Sequence, residues 1–105
     1  MIRSSKKTLA RRKERRLKTS EVRAIVFERD GNKCLKCGRT ENLQLSHIYP
    51  KGKFRKMEHD PLNLKIMCYG CHFHFWHKHP LEASEWLKSV LPASRIKYLK
   101  EQSLK

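Results

Sequence analysis

No apolar run in this chain approaches the roughly 20 residues that cross a bilayer, so nothing in the sequence reads as a membrane span. Residues 1–20 lack the apolar stretch and cleavage site of a secretory signal, which sets the expectation of a cytoplasmic, non-secreted protein. Acidic residues are scarce as well: 10 Asp and Glu stand against 25 Lys and Arg, for a net charge of +15. A surplus of that size disfavours a module built to dock on other proteins and favours a polyanionic partner. There is no internal repeat. Hydrophobic residues make up 38% of the 105 positions, enough for one domain with a modest core. Finally, no cysteine is left over from the two pairs that the chain contains.

Those pairs are Cys34/Cys37 and Cys68/Cys71, each with two residues between the thiols. A Cys-x2-Cys turn presents two thiolates to one ion, and two such turns complete the tetrahedral shell that structural zinc prefers. Gly38 follows the first turn and is free to take a positive φ, and Gly70 sits inside the second. Two disulfides are the competing arrangement, but they require an oxidising compartment. A domain this small often needs a metal to fold, so zinc would contribute to the folding free energy and a chelator should unfold the protein.

The charge is unevenly placed. Residues 1–20 carry nine basic side chains (Arg3, Lys6, Lys7, Arg11, Arg12, Lys13, Arg15, Arg16, Lys18) and one acid, Glu14. So little apolar surface predicts a basic flexible arm over 1–19, gaining affinity for nucleic acid by counterion release. A solvated tail, a nuclear-localisation run and a transit peptide are the other readings of such a segment.

After the arm, Thr19 or Ser20 is suited to cap a helix with Val22, Ile25 and Val26 on one face, ending near Asp30-Gly31. Leu43 and Leu45 alternate as a short strand towards His47, and Leu64, Ile66 and Cys68 as a second. Between them, residues 49–61 read as a polar, basic loop punctuated by proline and glycine. From Cys71 the pattern predicts a helix through His72 and Trp76, ending by His79-Pro80. Residues 80–105 then form a C-terminal helical extension, with Pro80 opening one helix, Pro92 closing it and Ser94 capping another. On the 71–79 helix, Phe73 and Trp76 are expected to pack while His74, His77 and His79 face solvent. Tyr49 and Phe54 in the loop suit either base stacking or anchoring of the loop.

Several ordered motifs now coincide: Val22-Arg23; Arg29-Asp30-Gly31 running on to Cys34 and Cys37-Gly38; Ser46-His47-Ile48-Tyr49-Pro50; Asp60-Pro61-Leu62-Asn63-Leu64; and Cys68-Tyr69-Gly70-Cys71-His72. Together, over about residues 20–79, they resemble the HNH endonuclease family in its zinc-stapled form. More weakly, the small residue before His47 and the long basic loop resemble phage recombination nucleases of that family. The resemblance implies a small α+β domain of the ββα-metal (HNH) type with flanking helices. It implies a metal-dependent DNA endonuclease leaving 5′-phosphate and 3′-hydroxyl ends, in a bacterial or phage-infected cell. DNA is then the partner, with a possible homodimer on DNA if both strands are cut.

Phosphodiester hydrolysis needs a base for water and a cation at the phosphate. His47 is the candidate base, because an imidazole titrates near neutral pH. By the resemblance, His72 ligates a catalytic Mg2+ or other divalent ion, and Asn63 orients the loop that fixes the base. Cys34, Cys37, Cys68 and Cys71 hold the structural Zn2+. Taken singly, His72 could be a zinc ligand or a packing residue, His47 an ordinary histidine, and Asn63 a turn residue. The family commonly places an acidic or imidazole ligand before the base; here Ser46 stands there, a weak neutral ligand. On a regular helix His77 lies about 140° around from His72 and His74 about 200°, so His77 is a possible but poorly placed second ligand. A non-catalytic zinc-stapled nucleic-acid-binding module, such as a small basic ribosome-associated protein, is the alternative function.

Overall fold

The computed structural model describes residues 5–105; residues 1–4, including Arg3 of the expected arm, lie outside the described residues. The chain is a small α+β unit with one two-stranded sheet and its four cysteines close together. Helix α1 spans Lys6–Asp30, strand β1 Leu43–His47 and strand β2 Leu64–Cys68. Short 3-10 turns at Arg55–Met57 and Pro61–Asn63 interrupt the connection between the strands. A π-helical turn, Cys71–Trp76, follows β2, and helices α2 (Pro80–Val90) and α3 (Ala93–Ser103) complete the chain.

The length of α1 corrects the expected start of the first helix and gives residues 6–19 of the basic segment a helical backbone. The helix begins at Lys6 rather than at Thr19 or Ser20, and Ser5 caps it by accepting a hydrogen bond from the Thr8 N–H at 3.1 Å. Residues 6–18 are poor in apolar side chains but, apart from Thr8, consist of Lys, Arg, Leu, Ala and Glu, all strong helix formers, with no proline or glycine to break the run. Tertiary contacts also hold this half of the helix. Arg15 pairs with Glu58 at 2.6 Å, and Thr19 Oγ1 lies 2.9 Å from His59 Nε2. The helix stops where expected, at Gly31, whose φ of 76° lies in the left-handed region.

Val22 and Val26 are buried against Leu64 and Ile66, with Leu43, Leu45 and Phe27 packed around them. Ile25 does not share that face and is 52% exposed. The strands pair antiparallel, with Leu43 opposite Cys68, Leu45 opposite Ile66 and His47 opposite Leu64. A second cluster gathers Cys34, Met67 and Cys68 with Cys71, Phe75, Trp76 and Trp86. Phe75, not Phe73, is therefore the phenylalanine that packs with Trp76; Phe73 is 46% exposed and stacks on Tyr69 at 5.6 Å. Two arginines from distant helices, Arg29 and Arg95, both donate to the Leu64 carbonyl, and also to those of Pro61 and Leu62 respectively. They lock the start of β2 between α1 and α3. The final helix starts at Ala93 after Pro92, with no side-chain cap, so Ser94 is not its cap. Among the described residues, no helix is long and apolar enough to cross a membrane.

Candidate functional site

The first cysteine turn is built by backbone hydrogen bonds: Gly38 N–H donates to Cys34 O at 3.0 Å, and Cys34 N–H to Arg39 O at 2.8 Å. Gly38 takes a φ of 77°, which the tight return of the chain requires. Leu35 N–H reaches Ile66 O at 2.9 Å and ties the turn to β2. The second turn leaves the end of β2 directly. All four sulfurs lie within 4.8 Å of one another, and those of Cys37 and Cys68 are 3.6 Å apart. Four sulfurs on one tetrahedral zinc sit about 3.8 Å apart, from a Zn–S bond of about 2.3 Å. The cluster is thus positioned to hold one metal ion and is consistent with structural zinc. Burial pushes the Cys34 thiol up, but hydrogen bonds from the backbone of Cys37, Cys68 and Lys36 outweigh it and hold it at about 7. Burial and then the neighbouring sulfurs raise Cys71 far above the ordinary thiol range. One negative charge is welcome there and a second is not, which is the electrostatic demand that a bound dication meets.

The second constellation is built on His47, Asn63 and His72. His47, at the end of β1, holds its ring by a 3.0 Å hydrogen bond between Nε2 and the Glu58 carbonyl. A carbonyl only accepts, so Nε2 carries the proton and Nδ1 keeps its lone pair. Burial lowers the His47 pKa below its usual 6.5; Lys51 and Lys65 push the same way, and the Glu58 carbonyl and carboxylate oppose them. The imidazole is accordingly neutral at pH 7.

Asn63 fixes the loop that supplies that carbonyl. It is fully buried; its Oδ1 accepts from Tyr49 N–H at 2.8 Å, and its Nδ2 donates to Tyr49 O and Met57 O, each at 3.1 Å. One amide thus spans both ends of the loop, and Met57 is the residue before Glu58. Tyr49 and Phe54 pack edge to face at 5.1 Å within it, so they anchor the loop on each other.

The π-helical turn alters the expectation for His77. Its backbone N–H bonds to the His72 carbonyl five residues back, at 3.2 Å. With the wider π turn, positions five apart stack on one face instead of diverging. His77 Nε2 consequently lies 3.0 Å from His72 Nε2. His72 Nδ1 donates to Gln44 Oε1 at 2.6 Å, which assigns the proton to Nδ1 and leaves the Nε2 lone pair facing His77. A glutamine behind an imidazole in this way orients a metal ligand. Burial above all, followed by the neighbouring His77, Lys65 and His47, brings the His72 pKa down to about 4, so the ring stays neutral at pH 7. Two ring nitrogens at this spacing suit two adjacent positions on a divalent ion. His74 takes no part, lying against the exposed Tyr69 and Phe73 rings.

Ser46 is corrected in the opposite sense. It is fully buried, and its hydroxyl accepts a hydrogen bond from Lys65 Nζ at 2.7 Å. The same nitrogen sits 3.4 Å from the centroid of the Trp76 ring. Burial above all, with Arg95 adding, lowers the Lys65 pKa to about 6. The serine hydroxyl is committed to this inner pair and is not a ligand for an ion at the histidines. Gln44, Lys65 and the Glu58 carbonyl are the contributors that sequence reasoning missed. Gln44 had a signal, since it stands two residues before Ser46 on the same face of β1.

His47, His72 and His77 all line one cavity of about 780 Å³, bounded by the loop after β1 and by α2 and α3. No family model matches the chain, and no curated protein or solved structure matches it.

Proposed function

We propose that this protein is a metal-dependent DNA endonuclease of the HNH type, its ββα-metal unit formed by β1, β2 and the turn that follows. The observation that carries this reading is the convergence of three imidazoles in one cavity: His47 with Nδ1 free, His72 with the Nε2 lone pair free of its own proton, and His77, whose Nε2–H donates to it. His47 offers Nδ1 as a base, with its other nitrogen anchored on Glu58 O. His72 and His77 offer a pair 3.0 Å apart for an ion. The resemblance of the surrounding motifs to HNH endonucleases supplies the reaction class.

In this reading His47 Nδ1 takes the proton from the water that attacks the scissile phosphate. Asn63 holds the loop so that the Glu58 carbonyl keeps the imidazole in one tautomer. Gln44 does the same for His72. A divalent ion such as Mg2+, when bound there, supplies Lewis acidity to the phosphate and to the departing 3′ oxygen. The cysteine cluster binds Zn2+ and clips the first turn to the end of β2. Helix α1 presents Lys6, Lys7, Arg11, Arg12, Lys13 and Arg16 to the DNA backbone as an ordered basic rod, in a salt-dependent and largely sequence-independent manner. A single site nicks one strand; cleavage of both calls for a homodimer or two events.

One observation favours the alternative of a non-catalytic zinc-stapled nucleic-acid-binding module. With Ser46 committed to Lys65, the ion keeps only two side-chain ligands. The two readings part on product chemistry. A nuclease of this type gives nicked plasmid that DNA ligase reseals, because the ends are 5′-phosphate and 3′-hydroxyl. Nicks that resist ligase, or retarded but uncut plasmid in Mg2+ and Mn2+, would contradict it.

A further inference from the structure

The cavity that the three histidines share is larger and more apolar than a phosphate and its ion require. Its volume is about 780 Å³, within the range of pockets that enclose a whole organic ligand. Half-buried Leu45 from β1, Ile48 from the loop and Ile96 from α3 line it, with the buried Ala83, Leu87 and Leu99 behind them. The Trp76 ring lies beside them, and Lys51 and Lys88 add two cations. A double helix is far too wide to enter such a space. A flat, largely apolar ring attached to a phosphodiester is the right size, and the cations match its charge.

We propose that this cavity receives one unpaired nucleobase, turned out of the strand beside the phosphate to be cut. The preferred substrate is then DNA carrying an unpaired nucleotide, such as a bulge, a mismatch or a single-stranded branch, rather than perfect duplex. The proposal rests on the reading of the histidines as a phosphodiester-cleaving site. A base seated against Leu45, Ile96 and Trp76 keeps its adjoining phosphate in the cavity that His47, His72 and His77 also line. Extruding a paired base costs a few kcal/mol, whereas a base already unpaired enters at little cost, and that difference is the source of selectivity.

The test uses full-length, zinc-loaded protein and three fluorescent DNAs: a perfect duplex, the same duplex with one bulged nucleotide, and that bulge made abasic. Affinities are measured by anisotropy in Ca2+, and cleavage is scored separately in Mn2+. The expected result is about tenfold tighter binding of the bulged duplex than of either other DNA, as for one stacked base. Ser84→Trp provides the complementary arm: Ser84 lines the cavity but is exposed, so a bulky ring there fills the space without entering the core. In that variant, with zinc content and melting temperature intact, the ratio between bulged and perfect duplex should fall towards one. Equal affinities for the bulged and abasic DNAs would overturn the proposal, since backbone flexibility alone would then explain any preference. An unchanged ratio in Ser84→Trp would overturn it too. A base-dependent preference with no cleavage of any DNA would uphold the pocket and sink the nuclease reading. Cleavage of all three DNAs alike, with equal affinities, would do the reverse.

Discussion

Two sets of side chains meet at the π-helical turn, four cysteines positioned to hold a metal ion and the histidine pair proposed to hold another, and they differ in every respect that matters. The cysteines form a closed set: four ligands, two of them buried, held by two turns and bonded into the end of β2. The histidines form an open pair on the wall of a cavity, 3.0 Å apart at their Nε2 atoms, with His72 oriented by Gln44. Closed sets suit structural ions and open ones suit ions that must also meet substrate and water. Cys71 and His72 are adjacent in sequence, so one peptide unit joins the clip to the cleft. The stability of the first therefore sets the precision of the second.

The largest expected effect separates the two sets most cleanly. Chelation of zinc, or Cys68→Ser, should abolish the cooperative unfolding transition and the near-ultraviolet dichroism, because the buried cluster around Met67 loses its fastening. Retention of a native spectrum with no metal present would show that the fold stands without the clip. His77→Ala should leave the melting temperature close to that of the parent. It should lower Mn2+ affinity by titration calorimetry, and nicking with it, about 10- to 100-fold, the range for loss of an important metal-site residue. Equal Mn2+ affinity in the variant would remove His77 from the ion site.

The pH dependence sharpens the comparison further. His47 has a folded pKa below 6.5, so its neutral, proton-accepting form persists to lower pH than in an ordinary histidine. Nicking should rise with pH through an acid limb centred below 6.5 and then level off, with the parent's plateau near pH 7. A limb centred above 7 would point to a different base.

The smallest effect concerns Lys65, which belongs to neither set. Its folded pKa of about 6 lies below the ordinary 10.5, so between those values the unfolded chain binds more protons. Wild-type stability from this group therefore rises with pH across that window. The double substitution Lys65→Met with Ser46→Ala removes both buried polar groups together. It should stabilise the protein by about 1–4 kcal/mol, by analogy with apolar replacement of buried charges. The gain should be greatest below pH 6 and shrink as pH rises. A denaturant titration showing a loss of stability would mean that the pair organises the sheet in some further way.

The sequence carried these features unequally. Cysteine spacing is a local signal, and the four sulfurs meet where that spacing placed them. The strands were legible from the alternation of Leu43 and Leu45, and of Leu64 and Ile66. The first half of α1 was not, because the apolar pattern fails there while helix propensity and the Arg15–Glu58 pair carry the helix. The His72–His77 pair was hidden by the assumption of 3.6 residues per turn. Within that π turn Phe75 and Trp76 pack on the second core cluster, tertiary contacts that no local window displays. Ser46 was read as a ligand position because its partner, Lys65, comes from the neighbouring strand. The cavity needed α2 and α3 in place before it existed at all.

The central claim is that His47 activates water in a cleft that cuts DNA. It is tested most directly by incubating supercoiled plasmid with zinc-loaded protein in Mg2+ or Mn2+, beside His47→Ala of equal zinc content and melting temperature. The account predicts nicking that depends on the added ion and falls about 10²- to 10⁴-fold in the variant, as for loss of a general base. Nicking that is equal in the two proteins, or absent from both while the plasmid is still retarded, would contradict it.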